Sequence, residues 1–74
     1  MTRLPRVTGK EVVSALKRAG FIVINIEGSH HHLYRSGSRL VTVPVHSKDT
    51  IPPKTLKSVI EQAGLTVDEL IDLL

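Results

Sequence analysis

Cysteine is absent from this 74-residue chain, so no disulfide can compensate for the small core that such a length allows. Long apolar runs are missing as well: none approaches the roughly 20 residues of a membrane span, and the N-terminus lacks the apolar region of a signal peptide. We therefore expect one soluble, cytoplasmic domain over residues 1–74. Its size favours a site on the surface, which suits a large polymeric substrate better than a small buried one.

Aromatic residues are nearly as scarce. Phe21 and Tyr34 are the only two, too few to form a stacking platform for single-stranded bases. A nucleic-acid partner would then be bound through its backbone charge and shape, with a strong dependence on salt. The sequence also contains no P-loop, no dinucleotide-binding fingerprint and no internal repeat.

Acidic residues are few in the first two thirds of the chain. Up to residue 48 there are eight basic and two acidic residues, a net charge of +6; from residue 49 there are two basic and five acidic residues, a net charge of −3. This asymmetry favours a polyanionic partner for the basic part. The alternative is a solvated basic face that binds nothing.

The sequence predicts helices both before and after the middle of the chain. The capping-box sequence at residues 8–11 predicts a helix over residues 9–19. A proline pair and an apolar stripe predict a second helix that ends at Gly64, and a second capping box at residues 66–69 predicts a short third one. Residues 1–7 show no periodic pattern and are expected to form a loose lead-in.

Three strands are predicted between the helices. Residues 21–26 are short and rich in β-branched side chains. Residues 30–35 and 39–45 are joined by a small-residue turn, so they should be antiparallel neighbours. The prediction is an α+β fold in which a helix, a three-stranded antiparallel sheet and a helix are followed by a short C-terminal helix. If both long helices pack on one face of the sheet, the other face is open to a ligand.

All four histidines lie within residues 28–46. Histidine is the one side chain whose unperturbed pKa lets it exchange protons near neutral pH. Side chains alternate along a strand, so His30 and His32 share one face while His31 and Leu33 share the other. Because Leu33 favours the side covered by helices, this parity places His30 and His32 on the open face.

The histidines can be interpreted in three ways. They fit surface residues without a role, a zinc site in which His30 and His32 share a metal and His46 adds a ligand, or acid–base catalysis. Acids that would orient a zinc site or complete a Ser-His-Asp arrangement are scarce, since only Glu27 and Asp49 flank the stretch. Cleavage of RNA requires fewer groups than either of these sites. It needs a base for the 2′-hydroxyl, cations for the phosphate and a proton donor for the leaving oxygen.

Basic side chains that could bind the phosphate follow the histidines. The candidates are Arg35, Arg39, Lys48 and Lys54. Parity leaves Arg35 on the covered face, from which its side chain must reach solvent. The same charges would also serve a non-catalytic module for structured RNA, and the open face would serve a protein-interaction domain.

Four segments in this order resemble the HicA family, small toxins of bacterial and archaeal toxin–antitoxin pairs that act as mRNA interferases. They are Lys17-Arg18-Ala19-Gly20-Phe21, Gly28-Ser29-His30, Val41-Thr42-Val43-Pro44-Val45-His46 and Thr55-Leu56-Lys57-Ser58-Val59-Ile60-Glu61-Gln62-Ala63-Gly64-Leu65-Thr66. The resemblance rests on their combination. It implies a fold like the double-stranded-RNA-binding domain, a metal-independent endoribonuclease without a cofactor, and an antitoxin of the HicB type that covers the active face.

The resemblance also assigns a site. In that family the histidine after a Gly-Ser or Gly-Gly pair is held to be catalytic, which here is His30, and Gly28 with Ser29 would form the active-site loop. The glycine is thought to allow close approach of the chain and the substrate. If the match to the family motif is shifted by one residue, His31 becomes the catalytic candidate. Strand parity favours His30.

Other residues receive less definite roles. His46 matches a histidine at the end of the third strand and is expected to be a second acid–base group, a phosphate contact or a structural hydrogen-bonding group, with His32 as a further candidate. Lys54 stands where many members of the family have glycine and adds positive charge near the presumed phosphate path. No metal ligand is predicted, and the oligomeric state stays open, a free monomer included.

Overall fold

The chain forms its elements in the predicted order. A computed structural model describes residues 3–74. Its elements are α1 (Gly9–Arg18), β1 (Ile22–Glu27), β2 (His30–Tyr34), β3 (Val41–Pro44), α2 (Pro53–Ala63) and α3 (Val67–Leu73). The α+β prediction of a helix, a three-stranded antiparallel sheet, a helix and a short terminal helix is confirmed.

The helix ends follow the local signals. Thr8 and Thr66 each accept a hydrogen bond from the backbone amide three residues on, and a glutamate at that position completes both capping boxes. Helix α2 ends at Gly64, whose φ of 71° is left-handed. Helix α1 ends one residue before its predicted end, because Ala19 already leaves the helical conformation as the C-cap.

The three strands form one sheet in the order β1-β2-β3, and both pairings are antiparallel. A two-residue turn, Gly28-Ser29, joins β1 to β2, and Gly28 has a φ of 59° as hairpin turns of this length require. An irregularity between Val23 and Asn25 shifts the register of β1, so that Ile26 lies opposite His31.

The hydrophobic core lies between one face of the sheet and the helices. Leu33, Val41 and Val43 are buried on that face, as the parity of β2 predicts. Helices α1 and α2 contact β3, and α1 also contacts α3. The largest fully buried side chains in the core are Phe21, Leu16, Leu33, Leu56 and Leu70.

Part of the predicted lead-in is ordered. Val7 is buried in the core, and its carbonyl accepts a hydrogen bond from the amide of Ile51 at 2.8 Å. Thr8 and Thr50 form an isolated bridge beside it. The prediction of a loose segment is therefore wrong at Val7, because a pairing of residues more than 40 positions apart leaves no local pattern. Residues 1 and 2 of that segment lie outside the described residues.

The first turn of α1 rests on the end of β3. A Cβ added at Gly9 would lie 2.8 Å from the Cα of Val45 and would overlap the carbonyl oxygen of Pro44. Only glycine allows this approach, since no side chain fits between the two backbones. The contact fixes the end of β3 against the helix, next to the turn that precedes His30.

Candidate functional site

His30 is the first residue of β2 and lies on the face of the sheet that no helix covers. It pairs with Glu27 across the hairpin and with Pro44 on β3, and it is exposed. The position that parity predicts for this side chain is therefore confirmed. Its ring can reach a ligand without any movement of the helices.

The turn before His30 is held by the end of β3. The carbonyl of Ser29 accepts a hydrogen bond from the amide of Val45 at 2.6 Å, which ties the turn to the end of β3. A Cβ at Gly28 would meet no atom within 4 Å, so the fold needs glycine there for its positive φ and not for space. The turn therefore leaves open room above Gly28.

His46 lies at the same end of the sheet. The bond between Val45 and Ser29 holds the chain after β3 beside the turn, and His46 is the next residue along the chain. His46 is exposed, and the amide of Asp49 donates to its carbonyl at 2.8 Å in the turn that also presents Lys48 to solvent.

His32 occupies the middle of the open face and is held in place. Its Nδ1 lies 3.1 Å from Oγ1 of Thr42. The amide of Thr42 in turn donates to Oε1 of Gln62 on α2 at 3.1 Å. This chain of hydrogen bonds connects His32 to a helix, whereas the ring of His30 makes no hydrogen bond to another group within residues 3–74.

Arg35 is used within the protein. Its Nη1 donates to the carbonyl of Ala19, the C-cap of α1, at 2.9 Å, and its guanidinium carbon lies 4.6 Å from the ring centroid of Phe21. The side chain is half-buried. The guanidinium is therefore held on the covered face by a carbonyl and an aromatic ring, while the side chain stays partly exposed.

The four predicted phosphate-binding residues do not lie together. At about 3.3 Å per residue, Arg35 is about 16 Å from His30 along β2. Arg39 is exposed near Arg35, beside a groove of about 300 Å³ along the end of α2. Lys48 lies in the turn after His46, and Lys54 is exposed in the first turn of α2. Both arginines thus lie toward the end of the sheet away from His30.

The family comparison fits this arrangement. Residues 9–65 match the family model for the HicA toxin of bacterial toxin-antitoxin pairs. The chain belongs to the HicA toxin family. The matched segment runs from the start of α1 through the turn before His30 and past the end of α2. Among curated proteins the chain finds no match.

Membership in the HicA family makes this chain the toxin of a toxin–antitoxin pair, in which the antitoxin is usually HicB. An antitoxin partner is thus implied by the family. Within residues 3–74, no helix combines the length and apolar character that crossing a membrane requires.

Glu27 is a residue of this HicA site to which the sequence interpretation assigned no role. The two-residue turn makes it the direct cross-strand neighbour of His30, and its Oε1 accepts a hydrogen bond from Nδ2 of Asn25 at 3.0 Å. Directly opposite side chains have Cβ atoms about 4.5–5.5 Å apart. The carboxylate of Glu27 therefore starts beside the imidazole of His30 across the hairpin. The spacing Glu-Gly-Ser-His, typical of a tight hairpin, is the signal that could have shown it.

Metal ligands do not converge at this site. Among residues 3–74, no group of three histidine, aspartate or glutamate side chains is placed to hold a metal ion. A zinc ion shared by His30 and His32 would therefore need a further ligand from outside these residues.

The HicA sheet also has a groove on its covered side, which the sequence interpretation missed. Helix α1 packs against β3, and a groove separates it from β1 on this face. His31 lies in the groove, and its Nδ1 is buried with no hydrogen-bond partner in the described chain. The space, about 320 Å³, is lined by Lys10, Val13, Ser14, Lys17, Val23, Ile26, His31 and Val45. We call it the α1–β1 groove.

Proposed function

We propose that this HicA toxin is an endoribonuclease that cleaves mRNA, with His30 as the general base and without a metal or cofactor. The observation that carries the proposal is the placement of His30: an exposed imidazole on the uncovered face, beside a fixed hairpin turn with open space above Gly28. His46 and Lys48 lie at the same end of the sheet. We call this group, with the Gly28-Ser29 turn, the histidine end.

Each step of cleavage has a residue to perform it. The imidazole of His30 takes the proton of a ribose 2′-hydroxyl, and the resulting oxygen attacks the adjacent phosphorus. The bond from phosphorus to the 5′-oxygen of the next nucleotide breaks, and this oxygen takes a proton from His46 or from water. The products are a 2′,3′-cyclic phosphate and a 5′-hydroxyl.

The cations divide into two groups along the RNA. Lys48, exposed in the turn after His46, neutralises the phosphate that is cleaved, and Lys54 extends the positive charge to the first turn of α2. Arg39 would contact phosphates several nucleotides away, and Arg35 adds charge without a free guanidinium fork. Because these contacts are to the backbone, we expect salt-sensitive binding with weak sequence preference.

The test replaces neighbouring histidines on opposite faces. His30→Ala should lower the rate of mRNA cleavage in the presence of a chelator by about 10²–10⁴-fold, the usual contribution of a general base. His31→Ala, the matched control, should retain cleavage because its ring faces the α1–β1 groove. RNA affinity and circular dichroism should be unchanged for both variants.

The substrate provides a second test. An RNA with one 2′-deoxy nucleotide at the cleavage position should stay intact at that position, since the nucleophile is missing. Cleavage by His30→Ala at the wild-type rate would overturn the assignment of the base. RNA that is bound by the wild-type toxin with strong salt dependence and recovered intact would favour the non-catalytic module for structured RNA.

A further inference from the structure

The outer edge of β1 is unpaired within residues 3–74. β1 is an edge strand, and within residues 3–74 no strand pairs with its outer side. Its three isoleucines, at positions 22, 24 and 26, are 60%, 54% and 55% exposed. Exposed apolar edges of this length promote association through strand pairing. The edge is therefore suited to a partner that supplies a β-strand.

The opposite edge of the sheet is covered. Helix α2 packs against β3, and the side chain of Gln62 accepts the hydrogen bond of the Thr42 amide, which points away from β2. The fold thus protects one edge with its own residues and leaves the other bare. RNA is a poor match for β1, because this strand carries isoleucines and no cation.

The α1–β1 groove lies beside this edge and gives it a charge preference. Its floor includes the apolar side chains of Val23 and Ile26, and its rim carries Lys10 and Lys17 from α1. A strand that adds to β1 would place alternate side chains over this groove. Apolar side chains would fill the floor, and flanking carboxylates would meet the two lysines.

A second copy of this chain fits the edge less well. If two β1 strands paired antiparallel about a two-fold axis, the α1 helices of both copies would lie on the same side of the joint sheet. Lys10 and Lys17 of each copy would then face those of the other across the junction. The repulsion between like charges disfavours this dimer, whereas an acidic partner is attracted.

We propose that the β1 edge and the α1–β1 groove bind an extended, acidic segment of the antitoxin by strand addition. Main-chain hydrogen bonds to β1 would supply affinity, and the groove would supply specificity. The inference rests on membership in a toxin–antitoxin family and not on the proposed ribonuclease activity. A strand at this edge lies about 4.8 Å from β1 and about twice that from β2, so it anchors the antitoxin without occupying the position of His30.

The first test measures affinity of the purified antitoxin of the pair for the full-length toxin. Ile24→Lys places a charge on the exposed edge and should weaken binding at least about tenfold, since an edge lysine blocks strand pairing. Leu40→Lys, at a residue 48% exposed and remote from β1, is the matched control and should bind as the wild type. RNA cleavage by free Ile24→Lys toxin should be retained, which separates this inference from the proposed function.

The second test concerns the charge of the partner. The double variant Lys10→Glu/Lys17→Glu should weaken antitoxin binding at least about tenfold, whereas Lys57→Glu, on exposed α2, should weaken it less than twofold. Amide hydrogen exchange in the complex should show new protection over Ile22–Glu27. This readout does not depend on the variants.

Four outcomes would overturn the inference. One is equal antitoxin affinity of the Ile24→Lys and Leu40→Lys variants, and another is unchanged exchange of the β1 amides in the complex. The third is a free toxin that sediments as a dimer and becomes monomeric in Ile24→Lys, which would assign the edge to a second copy. Protection of β1 by RNA instead of the antitoxin would also reject a protein partner.

Discussion

Basic side chains stand at both ends of β2, but their surroundings differ. At the histidine end, His30 is exposed on the open face and Gly28 leaves space above the turn. At the other end, Arg35 is bound to the C-cap of α1 and stacked on Phe21. Arg35 therefore holds structural elements together, whereas His30 stays available for a ligand.

The difference shows that positive charge near a candidate site is not by itself a binding role. Arg35 and Arg39 are equivalent in the sequence, since both flank the same turn. In the structure Arg35 bridges a helix and a strand, whereas Arg39 is exposed. The histidine end also depends on a buried feature, the contact between Gly9 and the end of β3, that stabilises it from behind.

The largest expected effect on stability comes from Gly9→Ala. Alanine is favoured over glycine in most helical positions, so the substitution would ordinarily stabilise α1. Here the added Cβ overlaps Pro44 and Val45, and β3 must move away. We expect the free energy of unfolding in urea to fall by about 2–3 kcal/mol, the cost typical of overpacking. Lys10→Ala, one residue on and exposed, should change it by no more than about 0.5 kcal/mol.

Cleavage gives the same substitution a second readout. Displacement of β3 would move the backbone that binds Ser29, so Gly9→Ala should also slow cleavage at temperatures where the protein is still folded. A stability equal to or above that of the wild type would show that the histidine end does not depend on this contact.

The sequence was sufficient for the parts of the fold that depend on local pattern. The two capping boxes and the burial of Leu33 are set by neighbouring residues, and they place His30 on the open face. The irregularity in β1 was not predictable, because simple alternation would put all three isoleucines on one face. The shift in register instead places Ile26 opposite His31 and next to the α1–β1 groove.

The role of Arg35 could not be predicted from the local sequence pattern either, for a different reason. Its partners, Ala19 and Phe21, lie 16 and 14 positions earlier in the chain. A long side chain can bury its stem and choose among several partners. Parity therefore gives the face on which Arg35 starts but not the position of its guanidinium.

An intermediate effect is expected for Arg35→Met compared with Arg39→Met. The first removes a charged hydrogen bond and the stacking on Phe21, so the free energy of unfolding should fall by about 2 kcal/mol. The second removes an exposed charge and should change stability by no more than about 0.5 kcal/mol. Thermal and urea unfolding of the two variants give the comparison directly.

RNA affinity gives a second measure of the same pair. If Arg39 contacts phosphates and Arg35 only adds charge, the slope of log affinity against log salt should fall by about one for Arg39→Met and by less for Arg35→Met. For the unfolding experiment, an equal loss of unfolding free energy in Arg35→Met and Arg39→Met would show that the hydrogen bond from Arg35 to Ala19 does not contribute to stability in solution.

The smallest effect is expected at His31, the neighbour of His30 on the opposite face. Its buried Nδ1 has no hydrogen-bond partner in the described chain, and such an atom costs about 1–3 kcal/mol. His31→Phe keeps a ring in the α1–β1 groove and removes the unpaired nitrogen, so stability should rise by up to about 1 kcal/mol. Cleavage should be unchanged, because His30 on the open face is untouched. A loss of stability in His31→Phe would mean that Nδ1 of His31 is bonded to water in solution. A loss of cleavage would show that a residue on the covered face of β2 also contributes to catalysis.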